Sequence, residues 1–226
     1  MRPTFRSKNE AVYDALRQAI IQGEYKPGSR LVIDDLAESM GVSQIPIREA
    51  LRQLEADGFI TIEPYVGATL TDINANFIFE IFALLESLEV ICSRTASRCM
   101  SDREIETLAE LIDQMDRSLN DPERWSQQNK EFHLFICECG NNVLTTKMMQ
   151  KVLDHWDRLR LHYLKDVSGR RIGDAQREHK VILAAFRSRD AVEVERAIRD
   201  HNQSALNSYI QHLQSTGEIQ MEADCP

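Results

Sequence analysis

Apolar side chains recur with a helical period along nearly the whole chain, and over the first 72 residues that period is cut into short pieces. From Asn9 to Gln22, Val12, Leu16, Ile20 and Ile21 share one face, and Gly23 with Pro27-Gly28 stops the run. A second helix is predicted at about Asp34 to Met40, closed by Gly41. A third is predicted from Ser43 or Gln44 to Asp57, closed by Gly58. Two β-rich runs follow, Phe59-Ile60-Thr61-Ile62 and Ala68-Thr69-Leu70-Thr71. They flank Pro64-Tyr65-Val66-Gly67 and read as a hairpin. Helix, tight glycine turn, helix and hairpin together predict a winged helix-turn-helix.

From Asn74 onward the helical period is long and the strand signal disappears. Helices are predicted at about 73–98, 102–119, 122–139, 143–166, 173–188 and 191–214, with the last dozen residues frayed. Several starts are marked: Ser101 to Glu104 and Asp190 to Glu193 have capping-box spacing, and Asp121 precedes a proline at the first helical position. The expected fold is mainly α: a winged helix-turn-helix over residues 1–72 and an all-α antiparallel helical bundle over 73–226. No solenoid repeat or low-complexity tract interrupts this.

Composition narrows the function. Hydrophobic residues make up 42% and charged residues 28%, as in ordinary globular proteins. The longest apolar stretch, Phe77 to Leu85, is interrupted by Glu80, so no membrane span is expected. The start carries charges without an apolar segment behind them, which makes the cytoplasm the expected location. Five cysteines, odd in number and without CxxC spacing, indicate neither a disulfide framework nor a zinc ribbon, and most are expected as reduced thiols. Net charge is −9, and neither part is basic: 8 basic against 11 acidic residues up to Asp72, and 19 against 25 beyond it. Contact with nucleic acid must therefore be local and focused.

The third helix offers such a focus. Ile47, Leu51 and Leu54 fall on one face, while Gln44, Arg48 and Arg52 line another. Arginine suits guanine and glutamine suits adenine by bidentate geometry, so a helix carrying both near its start can read a major groove. A solvated amphipathic helix has the same pattern. The glycine turn before it, the hairpin after it and the basic arm Arg2, Arg6 and Lys8 favour the reading role.

Pro27-Gly28-Ser29-Arg30-Leu31, Leu36-Ala37-Glu38, Gly41-Val42-Ser43, Pro46-Ile47-Arg48-Glu49-Ala50-Leu51, Leu54-Glu55, Gly58 and Gly67 resemble the GntR family of bacterial transcription regulators. The helical remainder resembles the effector-binding FCD domain of its FadR subfamily. The resemblance implies an operator contact through Arg30, Ser43, Gln44, Ile45, Arg48, Arg52, Tyr65 and Gly67. Two of these depart from the family. Gln44 stands where an arginine is usual and Ile45 where a threonine is common, which shifts readout toward adenine or a thymine methyl. Pro46 has no N–H to receive a cap from Ser43, which leaves that hydroxyl for the Ile45 amide or a phosphate.

In the second part Asn129 and His133 lie four apart on one helical face, and His179 and His201 fall on two later helices. Histidines satisfied by ordinary packing would fit these facts equally. Phe132-His133, Glu178-His179 and Asp200-His201 resemble the metal-site positions of the effector domain, with Asn129 in place of the usual aspartate. The resemblance implies a divalent transition metal, zinc or nickel, held by Asn129, His133, His179 and His201. Three imidazoles and an amide bring no negative charge, so a small organic acid is expected to offset the cation. Leu85 and Cys137 are the other expected pocket residues. Leu85 takes the place of an arginine clamp seen in many relatives, and Cys137 lies one turn beyond His133. His155, His162 and His212 match no site position. Glu131 and Glu178 point off the ligand faces by helical angle, so a general base is missing.

The sequence therefore points to a ligand-responsive regulator that binds double-stranded DNA as a homodimer on a pseudo-palindromic operator, without enzymatic or membrane function. The alternatives are a helical metalloenzyme fused to a DNA-binding module, and a structural bundle with an inert metal.

Overall fold

A computed structural model describes residues 8–163 and 165–216, with the side chains of 163, 165, 166 and 216 left aside. Arg2 and Arg6 of the basic arm and most of the expected frayed tail lie outside the described residues. The chain divides into two compact units, Met1–Ile73 and Asn74–Pro226.

In the first unit α1 (Lys8–Ile21) packs on α3 (Gln44–Ala56), with α2 (Ile33–Met40) beside it. Val12, Leu16 and Ile20 meet Ile47, Leu51 and Leu54 in a core completed by Phe59, Ile60 and Leu70, all nearly sealed from solvent. Gly41 ends α2 in the left-handed region at φ 63°. From it the amide of Val42 reaches back to the carbonyl of Ala37, so the chain reverses at once into α3. The sheet has three strands where the sequence predicted two. β1 (Arg30–Leu31) joins β2 (Ile60–Glu63) and β3 (Gly67–Leu70) in the order β1-β3-β2, antiparallel throughout. Arg30 pairs with Thr69 and Leu31 with Ala68, which ties the hairpin to the segment leading into α2.

The second unit is helical: α4 (Ala75–Cys99), α5 (Asp102–Asp116), α6 (Pro122–Cys139), α7 (Val143–Tyr163), α8 (Lys165–Ser188) and α9 (Ala191–Thr216). Its caps match the residues that mark them. Asn74 accepts from the Phe77 amide, Asp121 from Arg124, and Ser101 with Glu104 forms a reciprocal capping box. At Asp190 the box is one-sided: its carboxylate takes the amides of Val192 and Glu193, and the Glu193 carboxylate pairs with Arg196 instead. The segment 167–172, expected as a link, is part of α8, because Val167 and Ile172 are buried and packing overrides Ser168 and Gly169.

One apolar cluster is built mainly from α5, α6, α8 and α9 around Phe132, Ile182 and Phe186; another comes from α4, α6 and α7 around Leu85, Met149 and Leu153. Helix α6 contributes to both. Two of the five cysteines depart from the expected thiol state. Cys92 of α4 and Cys137 of α6 are joined as a disulfide with their Cα atoms 4.6 Å apart. Their 45-residue separation follows no spacing rule, and only the packing of α4 on α6 brings them together. Among the described residues Cys99 and Cys139 remain free thiols. No described helix is long and apolar enough to cross a membrane.

Candidate functional site

On α3 the buried side chains Ile47, Ala50, Leu51 and Leu54 fix the helix to its unit, which leaves Gln44, Ile45, Arg48 and Arg52 exposed. The polar three are loosely paired. Gln44 donates to Asp34 (2.5 Å), Arg48 donates to the Gln44 side-chain Oε1 (3.2 Å), and Arg52 rests on Glu49 (3.3 Å). Exposed pairs of this kind contribute little to stability and exchange readily for a phosphate or a base edge. Ser43 is the N-cap residue but makes no side-chain cap bond, so its hydroxyl does not serve the Ile45 amide. Ile45 is 72% exposed.

Arg30, Asp34, Gln44, Arg48, Gly67 and Ala68 line one shallow groove, so the reading helix and the base of the wing face the same space. Gly67 sits at φ 104°, and a β-carbon there would meet the Arg30 guanidinium at 3.5 Å. Tyr65, at the wing tip, is fully exposed and also left-handed at φ 66°, a backbone state that L side chains seldom take. All eight residues expected at the operator thus lie on the winged unit, and all but the half-buried Gly67 are exposed.

The histidines converge. His133 of α6, His179 of α8 and His201 of α9 are 4%, 0% and 8% exposed, and one ligand atom from each lies within 4.8 Å of the others. Two of them are held from outside by carboxylates that spacing alone does not reveal. Glu89 of α4 takes the Nδ1 of His133 at 3.0 Å and the side-chain amide of Asn202 at 2.7 Å. Glu178 takes the Nδ1 of His201 at 2.7 Å and a two-bond fork from Arg171 at 3.3 and 2.8 Å. A proton held on Nδ1 leaves Nε2 as the lone pair, which is how outer carboxylates orient metal-binding imidazoles. His179 differs. Both its ring nitrogens are buried without a hydrogen-bond partner, and the ring is stacked on Trp125 at 5.7 Å.

These environments shift the charges in consistent directions. Burial, reinforced by His201 and His133, drives His179 well below the ordinary histidine value, so it is a neutral donor. Burial also lowers His201, against the pull of Glu178. For Glu178, burial would raise the carboxyl, but the bonds from His201 and Arg171 bring it to about 2. Glu89 is likewise raised by burial and lowered further by His133, for a net decrease. Glu178 is absent from the cavity lining, as expected of a residue off the ligand face, but it has a role that spacing did not indicate. It leaves the face of its own helix and meets a histidine on the next.

His133 and His201, but not His179, line a cavity together with Glu89, Asn129 and Asn202, with Leu85 among its apolar residues. The Asn129 side-chain oxygen is buried and has no hydrogen-bond partner, as a ligand in waiting would be. Cys137 is corrected: it is fully buried, bonded to Cys92, and absent from the lining. Arg160 of α7 and Arg171 of α8 line the cavity too, so guanidinium groups reach it from helices other than α4. Of the remaining histidines, His155 is buried edge-on to Phe77 and His212 lies 3.5 Å from Arg170.

The pattern of the bacterial regulatory proteins of the gntR family matches residues 8–70, and the FCD domain pattern matches residues 80–204. The chain belongs to the GntR family of regulators that carry an FCD domain. This GntR regulator is 26% identical over 206 residues to the HTH-type transcriptional regulator YdhC of Bacillus subtilis (strain 168), covering 89% of this chain and 88% of that one. It is 26% identical over 184 residues to the HTH-type transcriptional regulator McbR of Escherichia coli (strain K12), covering 79% and 82%. The solved structure of E. coli McbR/YncC has the same fold, with a TM-score of 0.74 at 24% identity over 92% of this chain and 99% of that one. The GntR regulator is accordingly a bacterial transcription regulator rather than an enzyme.

Proposed function

We propose that this GntR regulator binds a pseudo-palindromic operator as a homodimer, and that a small carboxylate at a metal centre in the helical unit modulates its DNA affinity, as in the FadR subfamily. The observation that carries the reading is His179, a buried imidazole with neither nitrogen hydrogen-bonded, beside two imidazoles whose Nδ1 atoms are already held by carboxylates. Leaving such a group unsatisfied costs about 1–3 kcal/mol, so an occupant that takes its lone pair is stabilising. His133, His179, His201 and Asn129 would hold zinc or nickel, which when bound supplies a positive centre for an acid's oxygens. Glu89 and Glu178 lend the site negative charge that the four ligands lack, and Arg171 neutralises part of it through Glu178.

On the winged unit, Arg48 is assigned to a base or phosphate, Arg52 to a phosphate, and Gln44 with Ile45 to base edges. A single winged unit covers too little duplex for tight binding at physiological salt, which favours two copies on a two-fold site. Exposed Leu84 and Ile91 on α4, with Val143, Leu144 and Met148 on the adjoining α7, offer apolar surface that a second copy can cover.

The test is elemental analysis after loading with zinc or nickel, joined to light scattering and to operator titrations with and without chelator and a small acid. The reading requires about one metal per chain, a dimer, and an acid response that is lost in His133→Ala. A metal-free protein with an intact response would overturn the metal centre, and a monomer on the operator would overturn the dimer.

A further inference from the structure

The cavity contains a guanidinium that the histidine centre does not use. Arg171 has both terminal nitrogens engaged, on Glu178 and one of them also on the carbonyl of His201, and only its buried Nε is without a partner. Arg160 is different. Its side chain is only 8% exposed, yet its contacts are loose: Glu123 at 3.5 Å, itself 76% exposed, and Asp157 at 3.8 Å. Asp157 is already shared with Lys130 at 3.2 Å, and the buried Nε of Arg160 has no hydrogen-bond partner. A buried guanidinium whose carboxylate contacts are all 3.5 Å or longer can give them up to a planar oxyanion.

The wall around it is aromatic and apolar. Phe82, Leu85, Trp125, Leu153, Trp156 and Tyr209 line the same cavity, and Phe82, Trp156 and Tyr209 lie with ring centres 5.0–5.6 Å apart. Burial raises the Tyr209 hydroxyl to about 12, so it stays neutral. The cavity volume is about 70 Å³. At roughly 10–15 Å³ for each water, that is room for about five waters, or about 150 Å³ of liquid. Such a volume fits one ring and an acid group, and excludes a long chain.

We infer that the ligand of this cavity is a flat, apolar monocarboxylate of about one ring, its carboxylate taken by Arg160 and its body laid against the aromatic wall. Arg160 is then the specificity-determining residue, supplying from α7 the guanidinium that Leu85 denies α4. This changes the effector reading above in one respect, placing the carboxylate on Arg160 rather than on the metal, and rests on that reading only for the consequence at DNA, since the binding site stands on its own geometry.

The experiment is calorimetric titration of the full-length, zinc-supplemented protein with benzoate, its neutral isostere benzamide, and succinate. Benzoate should bind at least about tenfold tighter than either. Arg160→Gln should weaken benzoate by about 10- to 100-fold, the loss of charge-assisted bonds to a desolvated acid, while leaving benzamide unchanged. Arg160→Lys should restore part of the preference, which a merely structural role would not do. Should Arg160→Gln fold poorly, Glu123→Gln is the complementary variant: releasing the loose partner should tighten benzoate a few-fold. The inference is overturned if benzamide or succinate matches benzoate, if Arg160→Gln keeps the acid preference, if Glu123→Gln leaves benzoate unaffected, or if benzoate does not bind. Operator affinity is read separately. Benzoate that binds through Arg160 without altering DNA affinity sinks the effector reading and leaves the anion site standing.

Discussion

The two units of this regulator hold their working groups in opposite surroundings. On α3, Gln44, Arg48 and Arg52 are exposed and bonded to partners that are exposed as well. In the helical unit Glu89, His133, His179 and His201 are all at least nine-tenths buried, and three of the four depend on each other or on Glu178 for their hydrogen bonds. A face that must meet a large partner from outside is assembled from side chains whose present bonds are dispensable. A pocket that must receive a small molecule is assembled from groups the fold itself leans on. Function and stability should therefore be separable by mutation on the first unit and entangled on the second.

The largest expected effect tests that entanglement. Glu89→Ala removes the partner of both His133 and Asn202 from a buried site, and should cost about 3–5 kcal/mol in urea unfolding of the helical unit. Glu89→Gln, which keeps the volume and one acceptor, should cost less. A loss below about 1 kcal/mol for the alanine variant would mean that the pocket is not part of the folding core. Arg48→Ala is the counterpart on the winged unit: a loss of about 1–3 kcal/mol in operator affinity if it reads a base, with an unchanged unfolding midpoint. A drop in the midpoint would erase the contrast between the units. Ser101→Ala probes an exception, because Ser101 is exposed yet closes a capping box. It should lower stability by about 1 kcal/mol without altering DNA or ligand binding. The smallest change in energy, and the sharpest in kind, is Gln44→Arg. It should redirect base preference toward guanine, read by selection from a random operator pool, while leaving unfolding within about 0.5 kcal/mol.

Much of the fold was legible because helices announce themselves over many residues. The glycine turn at Gly41, the caps at Ser101 and Asp121 and the buried faces of α1 and α3 all carry local signals. β1 did not, because two residues have no period and its partners on β3, Thr69 for Arg30 and Ala68 for Leu31, lie far along the chain. The opening turns of α8 were hidden by Ser168, Gly169 and Gly173, residues that favour a break until Val167 and Ile172 are given a core to enter. At the site, helical spacing brings out His133, and likeness to the family brings out His179 and His201. Glu89, Glu178 and Arg160 were out of reach for a common reason: each acts on a group carried by another helix, and an angle measured on its own helix says nothing about that neighbour.

The disulfide between Cys92 and Cys137 has a kinematic consequence. Cys92 lies one turn beyond Glu89 on α4, and Cys137 one turn beyond His133 on α6, so the bond pins the two helices next to the place where the carboxylate meets the imidazole. With that bond formed, α4 and α6 cannot slide past each other along their axes; at most they rock about a fixed pivot. A sliding displacement that a guest imposes on the cavity is then taken up by α7, α8 and α9, the helices that carry Arg160, His179 and His201, while α4 and α6 stay in register with each other.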